Sequence, residues 1–200
     1  MARIFPLMVN GCDIQPLTDA TWPDLSALFE QGGDPRWCWC VYWRVRARDF
    51  SVASREENRA RLRTLIGGDP APGLVAYRGG LAVGWVSLGP RVDFERLVRS
   101  TTLVPIDDRP VWSIVCFVVS RPARRSGVAR VLLDAAVAYA RSHGAPAVEG
   151  YPIDTRGSRT QSAWLYTGTL SMFEAAGFHI AGWSVPVGKN TARSIVRLEL

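Results

Sequence analysis

The sequence is poor in the residues that carry most metal, imidazole and lysine chemistry. Among 200 residues there are two histidines, His143 and His179, four cysteines, and one lysine, Lys189, against 23 arginines. Cys38-Trp39-Cys40 has no second cysteine pair nearby, so no zinc-type ligand spacing exists and no metal is expected. No apolar run approaches the ~18 residues of a membrane span. The segment Phe5-Pro6-Leu7-Met8-Val9 is too short, and broken by proline, to be a signal-peptide core. A soluble cytoplasmic protein without a membrane partner is expected, with Cys12, Cys38, Cys40 and Cys116 reduced. The phosphate-loop consensus G-x-x-x-x-G-K-[ST] is missing because Lys189 lacks a glycine-rich lead-in. G-x-G-x-x-G, G-x-S-x-G and H-E-x-x-H are missing too, so dinucleotide, serine-hydrolase and zincin readings lose their central residues.

What is present is a core. Hydrophobic residues make up 48% of the chain and aromatics 10%, too much for disorder. A chain of this length buries roughly 70% of its unfolded surface, so residues 1–200 are expected to form a single domain. The net charge of +6 has two readings: an anionic partner, or an arginine-for-lysine habit on an ordinary surface. Only the placement of the arginines separates them. Arg44, Arg46, Arg48, Arg55, Arg59, Arg61 and Arg63 form the densest group. Arg55, Arg59 and Arg63 share a helical stretch with Glu56 and Glu57, which reads as a solvated face, so no nucleic-acid partner is expected.

Along the chain, strands are expected at Cys12–Leu17, Gly73–Tyr77, Leu81–Leu88, Val111–Val119, Ala147–Tyr151, Ile180–Val187 and Ser194–Leu200. The second and third are joined by a tight turn at Arg78-Gly79-Gly80. Helices are expected at Asp19–Gln31, Ala53–Ile66, Val128–Arg141 and Thr169–Ala176. In the third, Val128, Val131, Leu132, Ala135, Ala136 and Tyr139 fall on one face. Trp37–Arg44 is ambiguous between strand and helix. Val111–Val119 is apolar almost throughout, as in a strand buried on both faces. Locally paired strands joined by helices imply an α/β or α+β fold with a mixed sheet.

The informative segment links that buried strand to the long helix: Arg124-Arg125-Ser126-Gly127-Val128-Ala129-Arg130. A helix N-terminus presents unpaired N–H groups and a partial positive charge. Small residues let a ligand approach the backbone, and the first acid along the helix is Asp134. The composition suits a phosphate.

Strand, then Arg124-x-x-Gly127-x-Ala129, then helix resembles the acyl-CoA signature of the GNAT family of N-acetyltransferases. Phe173-x-x-x-Gly177-Phe178 matches the aromatic-x-x-x-Gly-Phe segment often found further on, and the order of elements matches from about Cys12 to Leu200. The resemblance implies a mostly antiparallel mixed sheet of six to seven strands with helices on both faces, splayed between Val111–Val119 and Ala147–Tyr151. It implies acetyl-CoA as acyl donor. Backbone around Phe117, Val118 and Val119 would hold the pantetheine arm as an added strand. The N–H groups of Arg125, Ser126, Gly127, Val128, Ala129 and Arg130 would hold the pyrophosphate, with Arg124 or Arg125 adding side-chain contacts and Phe173 bordering the site.

The implied reaction moves acetyl to an amine of a small molecule or peptide. The family's histone-type general base falls at Ser113 here, a poor base, and its frequent tyrosine acid falls at Phe173, which cannot donate. Tyr166 is the candidate acid and Glu149 the candidate base, with Asp154, Asp107 and Asp108 as weaker bases and Cys116 as an acyl-enzyme candidate. Trp37, Trp39, Tyr42 and Trp43 either wall the acceptor pocket or pack in the core. A catalytically quiet CoA-binding module is the competing reading. The oligomeric state stays open, a homodimer included.

Overall fold

Two tight turns start the architecture. Asn10-Gly11 and Gly79-Gly80 all have positive φ (46°, 73°, 57° and 76°), the conformation that folds a two-residue turn back with the right strand twist. In this computed structural model, which describes residues 6–155, 162–185 and 193–200, those turns close the hairpins β1–β2 and β3–β4. The strands are β1 Leu7–Val9, β2 Cys12–Pro16, β3 Gly73–Arg78, β4 Leu81–Pro90, β5 Trp112–Val119, β6 Ala147–Gly150, β7 His179–Trp183 and β8 Ser194–Glu199. They form one sheet in the order β1-β2-β3-β4-β5-β6-β8-β7. Neighbours are antiparallel except β5 and β6, which run parallel. The described sheet has eight strands rather than the expected six to seven, because β1 adds a short edge strand before Cys12.

Seven α-helices cover the two faces: α1 Trp22–Glu30, α2 Asp34–Cys38, α3 Ala47–Ser51, α4 Arg55–Arg63, α5 Glu95–Val98, α6 Val128–Ser142 and α7 Leu170–Ala175. One face buries Ile14, Leu74, Val86, Ile114 and Val148 against α6 and α7. The other buries Val75, Trp85, Val115, Val118 and Ile195 against α1, α4 and α5. In α6 the apolar stripe read from sequence is the buried one. α4 begins with a reciprocal cap, in which Glu57 N donates to Ser54 Oγ and Ser54 N donates to the Glu57 carboxylate. Such a cap satisfies two otherwise orphaned donors.

The aromatic run Trp37–Arg44 is neither strand nor continuous helix. α2 stops at Cys38, and Trp39 and Cys40 then take left-handed φ of 46° and 53°. Burial holds this strained turn: Trp39 is wholly enclosed, stacked on Trp22 at 5.7 Å and edge-on to Phe29 at 5.4 Å. A large indole buried in this way contributes enough to offset a strain of order 1–2 kcal/mol per residue.

Two glycines set the approach of helices to the sheet. A Cβ on Gly84 of β4 would stand 2.8 Å from Val128 and 2.9 Å from Leu132, so α6 seats directly on that strand. A Cβ on Gly150, at the end of β6, would stand 2.4 Å from the Phe173 ring.

Candidate active site

The site begins where the sheet comes apart. β5 and β6 pair only at Trp112–Val148, Ser113–Glu149 and Ile114–Gly150. β6 then ends, while β5 continues to Val119. The break coincides with an extra residue in β5: Ser87 faces Cys116 and Leu88 faces Ile114, leaving Val115 as a bulge. Val115 and Cys116 consequently both lie in the α1–α5 side core. A bulge of this kind increases local twist and re-aims the strand. Past Ile114 the β6-side backbone of β5 has no strand partner among the described residues, an edge suited to receiving an extended ligand.

At the tip of β5 the chain turns through Arg121–Ala123 into the loop 124–127 and then α6. Arg125 (φ 62°) and Gly127 (φ 83°) both adopt left-handed backbone. No side chain caps α6, and none of the N–H groups of Arg125 through Arg130 donates to a backbone acceptor. A Cβ added at Gly127 would meet nothing within 4 Å. Arg124 and Arg125 are exposed beside this terminus. Arg78, at the end of β3, joins them by donating to Ser126 Oγ at 3.0 Å, a contribution that no local spacing announced. The Arg130 side chain is engaged within α6: its Nε donates to both oxygens of Asp134 at 2.9 and 3.1 Å, one helical turn on. Orphaned N–H groups, no acid in the first turn, and arginines 78, 124 and 125 fit a phosphate group.

Tyr166 lies in the 3-10 turn Ser162–Thr167. Its hydroxyl is 3.5 Å from where a Cβ on Gly33 would be, at the start of α2. Burial, and the nearby acids and thiols Asp34, Cys116 and Cys38, push its phenol up to about 12, with Arg124 opposing. Tyr166 is thus protonated at neutral pH, and its side chain packs against the core on the α1–α5 face of the sheet. The Cys116 thiol is buried and accepts from Cys40 Sγ at 3.3 Å.

Glu149 is 2% exposed and fully engaged. Arg197 donates to Oε1 from Nε at 3.2 Å and from Nη2 at 2.8 Å, and the Tyr151 hydroxyl donates to Oε2 at 3.2 Å. The same Arg197 holds Asp107 at 2.5 and 3.1 Å, which keeps that carboxyl below its usual range. Ser113 and the Tyr151 hydroxyl are 2.8 Å apart. The structure therefore brings Glu149, Tyr151 and Ser113 together in one buried chain.

Phe173 corrects an expectation. It is fully buried, filling the space left by Gly150 and Gly168 and lying edge-on to Phe117 at 6.1 Å and Phe178 at 5.0 Å. It is a core residue with no surface for a ligand. The side chains of Phe117 and Val118 are also buried and Val119 half-buried, so only their backbone faces the opening. Of the aromatic run, Trp39 is core. Trp43 stacks on Tyr151 at 6.4 Å, with Tyr42 edge-on to it at 5.2 Å. Trp37 is exposed.

An open mixed sheet, split beside an uncapped, arginine-flanked helix N-terminus, defines an acyl-CoA-type transferase fold. The family model of the acetyltransferase (GNAT) family matches residues 39–166, and the chain belongs to that family, whose acetyl donor is acetyl-CoA. No curated protein matches in sequence. Solved structures share the fold at low identity. A GNAT-family acetyltransferase from Streptococcus agalactiae is 12% identical, with 97% of this chain and 98% of that chain covered and a TM-score of 0.57. A ribosomal-protein-alanine N-acetyltransferase from Brucella melitensis is 20% identical, covering 94% and 99% with a TM-score of 0.55. YncA from Salmonella typhimurium, solved with its cofactor acetyl-CoA, is 17% identical, covering 95% and 94% with a TM-score of 0.54. Among the described residues no cluster of three or more metal-ligating side chains occurs, and no helix is long and apolar enough to cross a membrane.

Proposed function

We propose that residues 1–200 act as one domain that transfers acetyl from acetyl-CoA directly to an amine. The observation that carries this reading is the uncapped N-terminus of α6 lying next to the unpaired edge of β5. The N–H groups of Arg125 through Arg130 would hold the pyrophosphate, with Arg78, Arg124 and Arg125 supplying charge. The backbone of Phe117, Val118 and Val119 would pair with the pantetheine arm, and an N–H at Val118 or Val119 would donate to the thioester oxygen. When bound, acetyl-CoA supplies the activated acetyl group.

In the transfer the amine nitrogen would bond to the acetyl carbon as the carbon–sulfur bond breaks, the amine giving up one proton to solvent water and the leaving sulfur taking one. Tyr166 is the proposed donor of that last proton, since its raised pKa keeps the phenol protonated. Glu149, held by Arg197 and Tyr151, is proposed as the fixed negative charge that orients Tyr151 and Ser113 on the acceptor side. With both oxygens engaged and no exposed face, it does not meet the amine directly. Trp43 and Tyr42 wall that side.

A quiet CoA-binding module is the second reading, favoured by one observation: the position of the histone-type base is Ser113, buried and bonded to Tyr151. Calorimetric acetyl-CoA binding, run beside a thiol-release assay on an amine panel, separates the two. Turnover on any amine supports transfer. Tight binding with no turnover across the panel supports the module, and no binding sinks both.

A further inference from the structure

Arg193 is a partly buried cation that the chain leaves without an anion. It sits just before β8, its backbone pinned by Ser184: Arg193 N donates to Ser184 Oγ at 2.8 Å, and Ser184 N donates to Arg193 O at 2.8 Å. Its guanidinium donates to Thr167 Oγ1 at 3.4 Å and lies within electrostatic reach of Tyr42. Thr167 is the residue after Tyr166, and Tyr42 precedes Trp43, which stacks on Tyr151. Arg193 therefore touches the residue that follows the proposed proton donor and lies near one aromatic residue of the proposed acceptor side.

Other enclosed arginines are engaged by more or stronger acceptors than the single 3.4 Å contact of Arg193. Arg197 holds Glu149 and Asp107. Arg44 donates to the carbonyls of Pro72 and Leu88, and Arg91 to those of Leu97 and Leu103. Residues 1–5, 156–161 and 186–192 contain no Asp or Glu, so all 18 acidic residues fall in the described part, and none forms an ion pair with Arg193. Burial pulls the Arg193 pKa down, and only Tyr42 opposes it. A guanidinium in this state gains from a carboxylate that arrives with a ligand, because its fork of donors matches two oxygens.

We propose that Arg193 binds a carboxylate on the acceptor, so that the acetylated amine belongs to a small amino-acid-type molecule carrying both groups. This deepens the acetyltransfer reading and rests on it. The test uses acceptor pairs that differ only in the carboxylate: phenylalanine and phenethylamine, arginine and agmatine, methionine and 3-(methylthio)propylamine. Each is titrated calorimetrically into the CoA-bound protein and run in the thiol-release assay.

At least one carboxylate-bearing member should bind, and be used, about ten- to a hundredfold more tightly than its partner, the worth of one charge-assisted contact. Arg193→Met should raise KM for that member and not for its decarboxylated partner, while Arg193→Lys should recover part of the difference. Equal binding within every pair, binding by none of them, or a preference that survives Arg193→Met in a protein with unchanged circular dichroism overturns the proposal. Acetyl-CoA binding measured on the same preparation keeps the two levels apart. If acetyl-CoA does not bind, the acetyltransfer reading fails; if it binds and decarboxylated amines are used equally well, only the Arg193 assignment fails.

Discussion

Gly127 offers a test in which stability and ligand affinity should move in opposite orders. Its φ of 83° and ψ of −3° are left-handed, so any L-residue there carries about 1–2 kcal/mol of strain. A Cβ would meet nothing within 4 Å, so Gly127→Ala isolates that strain, which lowers Tm by about 2–4 °C per kcal/mol in a chain of this size. Gly127→Glu adds a carboxylate at the N-terminus of α6, where the helix field returns about 0.3–1 kcal/mol. The glutamate variant should therefore melt no lower than the alanine variant. Acetyl-CoA affinity should rank the other way. Displacing two charge-assisted contacts, each about 1.5–3 kcal/mol, costs at least about 3 kcal/mol. That is a hundredfold or more in Kd for Gly127→Glu, with a much smaller loss for Gly127→Ala. Thermal melts and calorimetry with acetyl-CoA on the three proteins give both orders. A folded Gly127→Glu protein with Kd within threefold of the parent, or affinity losses that simply follow Tm, refutes the placement of the phosphates at this loop.

Tyr166→Phe should lower kcat by about a hundredfold with acetyl-CoA affinity unchanged; a parental pH–rate downturn between pH 7 and 10 that the variant removes would contradict a phenol held near 12. Glu149→Gln leaves Arg197 short of one buried partner and should cost about 3–5 kcal/mol in urea unfolding, and Glu149→Gln with Arg197→Met together should cost less than Glu149→Gln alone. Gly150→Ala forces a methyl to 2.4 Å from the Phe173 ring and should cost about 1–3 kcal/mol, part of which a smaller residue at 173 recovers; a neutral Gly150→Ala would mean the ring moves freely. Asp107, whose pKa is lowered first by its hydrogen bonds from Arg197, stabilises the fold above the ordinary carboxylate pKa of about 4. That contribution is lost as pH falls through the depressed folded value, so Asp107→Asn should flatten the acid limb of a Tm–pH curve and leave its neutral plateau shape unchanged.

The parts of the site legible in sequence are those encoded by periodicity and by local composition. α6 reads from its spacing, β5 from its unbroken apolar run, and the phosphate loop from small residues between arginines where a strand becomes a helix. β1 is only three residues long, too few for alternation to register, and the Asn10-Gly11 turn that pairs it with β2 is two residues. Trp37–Arg44 is ambiguous in sequence for another reason: nothing in local propensity favours left-handed backbone at Trp39 and Cys40, and burial against Trp22 and Phe29 imposes it. Gly84 and Gly150 look like weak points in strands until the helices packed on them are known. The pairing of Glu149 with Arg197, and the isolation of Arg193, join residues distant in sequence and so leave no local pattern.

The excess of arginine over lysine reads differently once each guanidinium is placed. An arginine-for-lysine habit predicts arginines that a lysine would serve as well. Arg44 contradicts it: one Nη reaches two carbonyls, at 3.0 and 3.1 Å, while the planar group lies 4.5 Å from the centre of the Phe94 ring. Arg197 binds two carboxylates from one fork, and Arg59 lies over both Trp22 and Trp39 at 5.4 Å. A point-charge ammonium cannot reproduce planar stacking together with forked donation. Most of the enclosed arginines are occupied by carboxylates, carbonyls or rings of the chain itself. Arg78, Arg124, Arg125 and Arg193 form no ion pair among the described residues, although Arg124 Nε donates to the Val119 carbonyl at 3.3 Å, and these four are the cations we propose for ligands. Three gather at the helix terminus suited to phosphates, and the fourth stands beside Thr167 where the amine would enter. A ligand-facing origin for part of the positive charge follows from that division, whereas the net charge alone was silent on it.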